Sequence, residues 1–380
     1  MQGFNTRIAG VHLGKYNPHM YNIRLLIYVL ALGCIGILVI NSAADGFARK
    51  QMIGFIGGYI IMLIFSLIDY NYIAKFDRFL YAINIIILIM VKLFGKNVNG
   101  ATRWFSLGSF GTLQPSEISK VIILIIFASY ISSKREEIDQ FWAIAKIVIL
   151  YAIPIGLVYI EPDMSTTLVF CFLFLCLMFV SGLSYRIIGT ILGIAIPALA
   201  LLIWYIQQPF QILLRGYQLD RIMSFLHPSD YLLTTYNQQY NSIMAIGSGM
   251  MSGKGLNNNT ITSVKGGNFI SEPQTDFIFA IVGEELGFIG SCLVIGLLCL
   301  IILECLLIAR DARDLCGRLI ACGAAGILTF QSFVNIGVAT GILPNTGLPL
   351  PFVSYGLSSL LSNFLLIGLV LNIGLQRNRR

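Results

Sequence analysis

The sequence predicts an all-α fold, a polytopic integral membrane protein with about ten transmembrane helices and one large extracellular loop. Composition is the first reason. The 380 residues are 57% hydrophobic and 11% charged, with a mean hydropathy of +0.81, whereas a soluble domain carries about a quarter charged residues. The second reason is that apolar runs recur at close to 20 residues, the length a helix needs to cross a hydrocarbon core roughly 30 Å thick. The third is that a single long polar interval, Gln207 to Thr275, interrupts them.

The spans follow in order as Ile23–Ser42, Met52–Ile68, Phe79–Phe94, Ile118–Ser132, Phe141–Ile160, Thr166–Ser181, Ile187–Ile206, Phe277–Ile308, Leu319–Leu343 and Pro351–Leu375. The fourth is short, and the eighth is long enough that it is expected to tilt or protrude. Lysine and arginine set the orientation, because short cytoplasmic loops carry their excess. With the N-terminus inside, about fourteen fall on inner loops and tails and about four on short outer loops. This reading makes residues 1–380 a single membrane domain with a cytoplasmic segment 1–22, an extracellular loop 207–275 and a cytoplasmic tail 376–380. Both termini are then cytoplasmic. The net charge of +7 is the same bias and implies no nucleic-acid partner.

Several classes lose support. The first ~20 residues lack the apolar core and cleavage site of a removable signal peptide, so the first span is expected to stay as an anchor. The eight cysteines lie in or beside spans, and no disulfide is expected. The histidines are too scattered for a metal site, and no phosphate-binding GxxxxGK[ST] stretch suggests an ATP-driven engine. No cofactor is expected, a weakly held divalent cation being the most the residues suggest.

The long loop carries "YNSIMAIGSGMMSGKGL", an apolar stretch followed by glycines. It suits a helix lying at the interface and a backbone that approaches something closely. "LNNNTITSVKGGN" reads as mobile. Gln238, Ser242 and Lys254 in this loop are candidate substrate contacts.

Polar residues gather at other places. "SEPQTDFIFAIVGEELG" puts four carboxylates, Glu272, Asp276, Glu284 and Glu285, around the head of the eighth span, and an ionisable group at the membrane edge marks a functional site by default. In "NGATRWFSLGSFGTLQPSEISK", Pro115 suits a first helical turn, and Glu117 and Lys120 share a face at i and i+3. Arg103 and Trp104 precede them. In "EPDMSTT", Asp163 resembles the N-cap of the sixth helix. Gln331 and Asn335 share a face of the ninth span. "ILPNTGLPLPFVSYGLSSLLSN", with Ser354, implies irregular backbone, which membrane depth tolerates only where it is buried or lines a cavity. Glu304 is expected to pair with Arg310. The ensemble reads as Asp276 among cations, an arrangement suited to an anionic lipid headgroup.

These stretches resemble, in order and over nearly the whole chain, the bacterial SEDS family (shape, elongation, division and sporulation), which includes RodA and FtsW. The resemblance rests on "NGATRWFSLG" with "QPSEISK", "EPDMSTT", "AIGSG" with "GKG", "EPQTDFIFAIVGEELG" and "NIGVATGILPNTGLPLPFVSYGLSS". It implies a peptidoglycan glycosyltransferase that polymerises lipid II at the outer face of the cytoplasmic membrane and works with a class B penicillin-binding protein in an elongation or division complex. It also implies that Asp276 is the essential aspartate, with Glu117, Lys120, Arg103 and Trp104 as site residues and Arg49 as a less secure match. Gln274 stands where the family commonly has histidine, Leu357 where it has a second glycine, and Met164 and Ser165 where it has leucine and glycine. "GKG" and the short N-terminus resemble the elongation paralogue slightly more than the division one. A lipid II flippase and a non-catalytic scaffold are the rival readings.

Overall fold

The computed structural model describes residues 7–8, 11–12, 21–44, 46–98, 101–106, 108, 112–208, 211, 216–257, 263–267 and 269–377. After a short antiparallel pair, β1 (Arg7–Ile8) and β2 (Val11–His12), come α1 (Ile23–Ala43), α2 (Phe47–Phe65), α3 (Tyr70–Ala74) and α4 (Asp77–Phe94). A small antiparallel sheet of β3 (Lys96–Val98), β4 (Ala101–Ser106) and β5 (Thr112–Leu113) leads into α5 (Pro115–Ser133), α6 (Phe141–Ile160), α7 (Met164–Val180) and α8 (Tyr185–Ile206). The long loop holds α9 (Gly216–Leu226), α10 (Asn237–Ser248) and α11 (Val264–Gly267). Then α12 (Ile278–Arg310), α13 (Leu315–Ala339) and α14 (Leu357–Leu375) complete the bundle.

Ten of these helices overlap the ten apolar runs. Eight are long and apolar enough to cross a membrane; α7 is apolar but has 17 residues, and α4 carries Asp77, Arg78 and Lys92. Boundaries differ where chemistry at a membrane edge overrides hydropathy. Helix α2 starts at Phe47 and runs through the exposed Arg49 and Lys50, whose long stems keep their charges in water while the helix continues. Helix α14 starts only at Leu357, because the stretch from Pro344 to Gly356 forms an irregular strap.

Helices α5, α13 and α14 pack against one another at the centre, with most of their length buried. Around them α12 lies on α13, α1 on α12, α2 on α14, α7 on α13 and α4 on α5. None of the apolar window of α8 is buried, leaving that helix to face lipid. Because lipid supplies no hydrophobic drive between helices, small residues that admit close approach matter more than in water. At Gly36, for example, an added Cβ would stand 2.8 Å from the Phe352 carbonyl oxygen.

The long eighth span is not one straight rod. Gly287 has φ 68° and ψ −163°, which breaks α12 after its first turns and leaves backbone groups on both sides without helical partners. The glycine-rich loop segment supplies them. Lys254 N donates to Glu284 O at 2.9 Å and Gly255 N to Glu285 O at 3.0 Å, while Phe288 N and Ile289 N donate to Met250 O and Met251 O at 2.9 and 3.1 Å. The close approach expected of these glycines is therefore to a broken helix of the same chain. Helix α10 also packs on the bundle, with Ser242 Oγ donating to Ala339 O at 2.7 Å and Gln239 Nε2 to Leu343 O at 2.7 Å.

At the opposite end, Glu304 accepts from Asn22 Nδ2 at 2.7 Å and does not pair with Arg310, which lies against Asp311 at 3.3 Å. Asn22 caps α1 there, so it reaches the acid first. Most of segment 1–22, the end of the tail 376–380 and the middle of "LNNNTITSVKGGN" lie outside the described residues.

Candidate active site

Where α5, α7, α12 and α14 begin, the bundle opens into a cavity of about 880 Å³. Its walls come from β4 and β5, the turn between α6 and α7, α9, the turn before α12 and the strap. Asp276 lies on this wall, one residue ahead of the Phe277 cap of α12. Its backbone is fixed from two sides. Asn335 Nδ2 bridges Asp276 O at 2.8 Å and Leu348 O at 2.7 Å. Ser354 Oγ donates to Thr275 O at 2.7 Å, and Tyr355 N to Gln274 O at 2.8 Å. Gly347, with φ 79°, lets the strap pass the carboxyl closely, since a Cβ there would stand 3.1 Å from Asp276 Oδ2.

Burial raises the Asp276 carboxyl above the ordinary carboxylate range. Arg221 opposes that rise, Glu272 adds to it, and Arg103 opposes it more weakly. A carboxylate held this way is a better proton acceptor than an exposed one, while its cations keep it ionisable.

Asp163 is anchored as the cap of α7. It accepts from Thr166 N at 3.2 Å, Thr166 Oγ1 at 2.8 Å, Gln114 Nε2 at 2.7 Å and Ser116 Oγ at 3.1 Å. With its lone pairs so engaged, Arg103 approaches only to 3.6 Å. The Arg103 guanidinium also lies 5.5 Å from the Trp104 ring centre and lines the cavity. Glu117 lines it too, accepting from Ser362 Oγ at 2.9 Å.

Other candidates are placed elsewhere. Lys120 lies one turn deeper than Glu117, fully buried and paired with it at 2.7 Å, so it neutralises that acid and does not line the cavity. Arg49 is exposed on the first turn of α2. Gln238 donates to Ser271 Oγ, Ser242 holds α10 to α13, Lys254 pairs with Glu284 at 2.7 Å, and Ser354 holds the strap. None of these five is a cavity residue.

The cavity also departs from the picture of one acid among cations. Glu117, Asp163, Asp220, Glu272 and Asp276 line it against Arg103 and Arg221. No local sequence pattern singles out Arg221. It sits on α9, donates from Nη1 to Thr346 O at 3.0 Å, and is the main cation opposing the rise at Asp276. "YQLDRIMSF" held the available signal, a charged pair inside an amphipathic stretch of the loop. Among the described residues no group of three or more His, Cys, Asp or Glu is arranged to hold a metal ion.

Comparison with known proteins decides the family. The family model described as FtsW/RodA/SpoVE cell cycle protein matches residues 21–379. The chain belongs to that family, the SEDS proteins. The peptidoglycan glycosyltransferase MrdB of Escherichia coli strain K12 is 36% identical over 93% of this chain and 93% of its own length. The probable peptidoglycan glycosyltransferase FtsW of Wigglesworthia glossinidia brevipalpis is 30% identical over 92% of each. The crystal structure of the rod shape determining protein RodA of Thermus thermophilus superposes with a TM-score of 0.69 at 27% identity, covering 95% of this chain and 98% of that one. A chain from a study of how a peptidoglycan synthase complex coordinates polymerization and crosslinking superposes at 0.76, with 28% identity and coverage of 93% and 97%. In this SEDS member Gln274 is buried, and its carbonyl holds Tyr355 N.

Proposed function

We propose that this chain, a peptidoglycan glycosyltransferase of the SEDS family, joins lipid II disaccharides into glycan strands at the outer face of the cytoplasmic membrane and releases undecaprenyl pyrophosphate. The observation that carries this is Asp276, fixed through its backbone on the wall of a cavity that also holds Arg221 and Arg103. The lining suits a carbohydrate: Thr112, Ser165, Thr166, Thr235 and Ser358 offer hydroxyls, and Trp104 and Tyr355 offer aromatic surface.

In the mechanism a sugar hydroxyl of one lipid-linked disaccharide attacks the anomeric carbon of another. The new C–O bond forms as the bond to the diphosphate breaks, and its electron pair leaves with the diphosphate. Asp276 takes the hydroxyl proton, a contribution of typically ~10² to 10⁴ in rate. The leaving group is a stable anion, so the second carboxyl that a glycosidase uses as acid is not needed. Arg103 and Arg221 stabilise the charge that develops, the kind of effect that usually weighs most. One displacement turns an α-linked donor into a β-linked product.

The flippase reading asks for ionisable groups along the depth of the bundle. Beyond Glu117 at the cavity, Lys120 is the one further charged residue of α5, and the buried polar side chains of the central helices α13 and α14, such as Gln331, Asn363 and Asn372, are uncharged; the deeper acids are on α12, where Glu284 pairs with Lys254 and Glu304 accepts from Asn22. A class B penicillin-binding protein is the proposed partner, engaged through the lipid-facing spans. The test is polymerisation by the purified full chain, with and without that partner. Strands should form from lipid II with undecaprenyl pyrophosphate as co-product. Binding of lipid II with no strands under either condition would remove the reading.

A further inference from the structure

The turn between α6 and α7 carries an acid that the mechanism above does not use. Glu161 is 1% exposed, and both carboxyl oxygens are buried without a hydrogen-bond partner among the described residues. Asp163, two positions on, takes four hydrogen bonds and the approach of Arg103. The charged groups facing Glu161 are Asp163 at the head of α7, Lys92 near the end of α4 and Arg103 on β4. Neither cation is spent on it among the described residues: Lys92 Nζ donates to Ile160 O at 3.3 Å, and Arg103 leans on Asp163 and Trp104 with its Nε unpartnered there.

A buried carboxylate with no donor is strongly disfavoured against the neutral acid. Burial, and after it the Asp163 charge, push the Glu161 carboxyl up to about 8, with Lys92 and then Arg103 opposing. The acid is therefore neutral at pH 7 and ionises just above it.

We propose that Glu161 is a positioning residue for the diphosphate end of the site: as a neutral acid it leaves Arg103 turned to the cavity, and as a carboxylate it draws Arg103 into the wall. This rests on the polymerase reading and names which wall holds the diphosphate. A cavity already lined by five acids and two arginines binds an anion only while further negative charge is kept off its wall. Glu161 does not itself line the cavity but adjoins the lining residues Pro162 and Asp163; once ionised it adds negative charge behind that wall and takes the cation away. At an effective dielectric near 20, one unit charge about 12 Å from another is worth roughly a factor of ten in affinity.

The experiment is steady-state polymerisation by the full-length chain from pH 6 to 10 with purified lipid II, for the wild type and for Glu161→Gln, which keeps the shape of the neutral acid. The wild-type KM should rise about tenfold as pH passes about 8, with kcat changing less. Glu161→Gln should match the wild type at pH 7 and keep a flat KM to pH 10. A flat wild-type KM overturns the proposal without any variant, and so does an equal rise in Glu161→Gln. A wild type that binds lipid II but makes no strands at any pH strikes the polymerase reading itself and takes this inference with it.

Discussion

Arg221 and Lys120 show how a side chain's depth decides its chemistry. Lys120 is a cation at the right helical spacing from Glu117, yet it is sealed beneath that acid. Arg221 comes from a loop and stands beside Asp276. The i, i+3 spacing made the Glu117–Lys120 pair legible in the sequence, but spacing along one helix says nothing about which partner meets the cavity. Arg221 was illegible because its contact with Thr346 spans 125 residues, and no local pattern encodes that distance. Its role is testable by sign. A nearby cation favours the carboxylate, so Arg221→Gln should raise the Asp276 pKa further, protonate more of the base at pH 7 and move the acid limb of the kcat profile to higher pH. A fall in kcat of about 10- to 100-fold at pH 7 is expected, with partial recovery as pH rises. An acid limb that stays in place would show that Arg221 does not act on Asp276.

Among the elements, the apolar runs announced the spans because lipid demands about 20 such residues whatever the tertiary packing. The break in α12 was hidden for the same reason, since hydropathy continues unchanged through Gly287. Once the break is present, the roles of Lys254 and Ser242 follow. They look like exposed polar residues of a loop and instead hold that loop to the bundle. Prolines made the strap legible, because irregular backbone at that depth has to line a cavity or be buried. The loop clamp predicts that Gly253→Ala will be destabilising. Gly253 has φ +78°, and a Cβ there would stand 2.1 Å from Glu285 O. A loss of about 1–3 kcal/mol is expected, visible as a lower Tm of the detergent-solubilised chain, while Gly57→Ala, where a Cβ meets nothing within 4 Å, should leave Tm nearly unchanged. Equal Tm values for the two variants would mean that the clamp does not hold the broken helix.

At the scale of the whole molecule, ten helices gather segments from five distant parts of the chain around one cavity at one end of the bundle. We propose that this end lies at the outer face, as the lysine and arginine bias of the loops implies, where a lipid-linked sugar and a partner transpeptidase would both be met. Five collinear motifs made the family legible, and they brought Arg103, Trp104, Glu117, Asp163 and Asp276 to the same cavity. The surplus of acids there was legible only in part: Glu272 stands four residues before Asp276 in the sequence, whereas Asp220 lies in a loop segment whose folding over the site no periodicity describes. The central claim is that one carboxylate on this wall takes the proton of the attacking hydroxyl. Its most direct test is Asp276→Asn, which keeps the side chain's shape and removes its basicity, assayed for lipid II binding, Tm and strand synthesis together. Polymerisation should fall by at least ~10² to 10⁴, with binding and Tm close to wild type. Strand synthesis near the wild-type rate would contradict the assignment of Asp276 as the base.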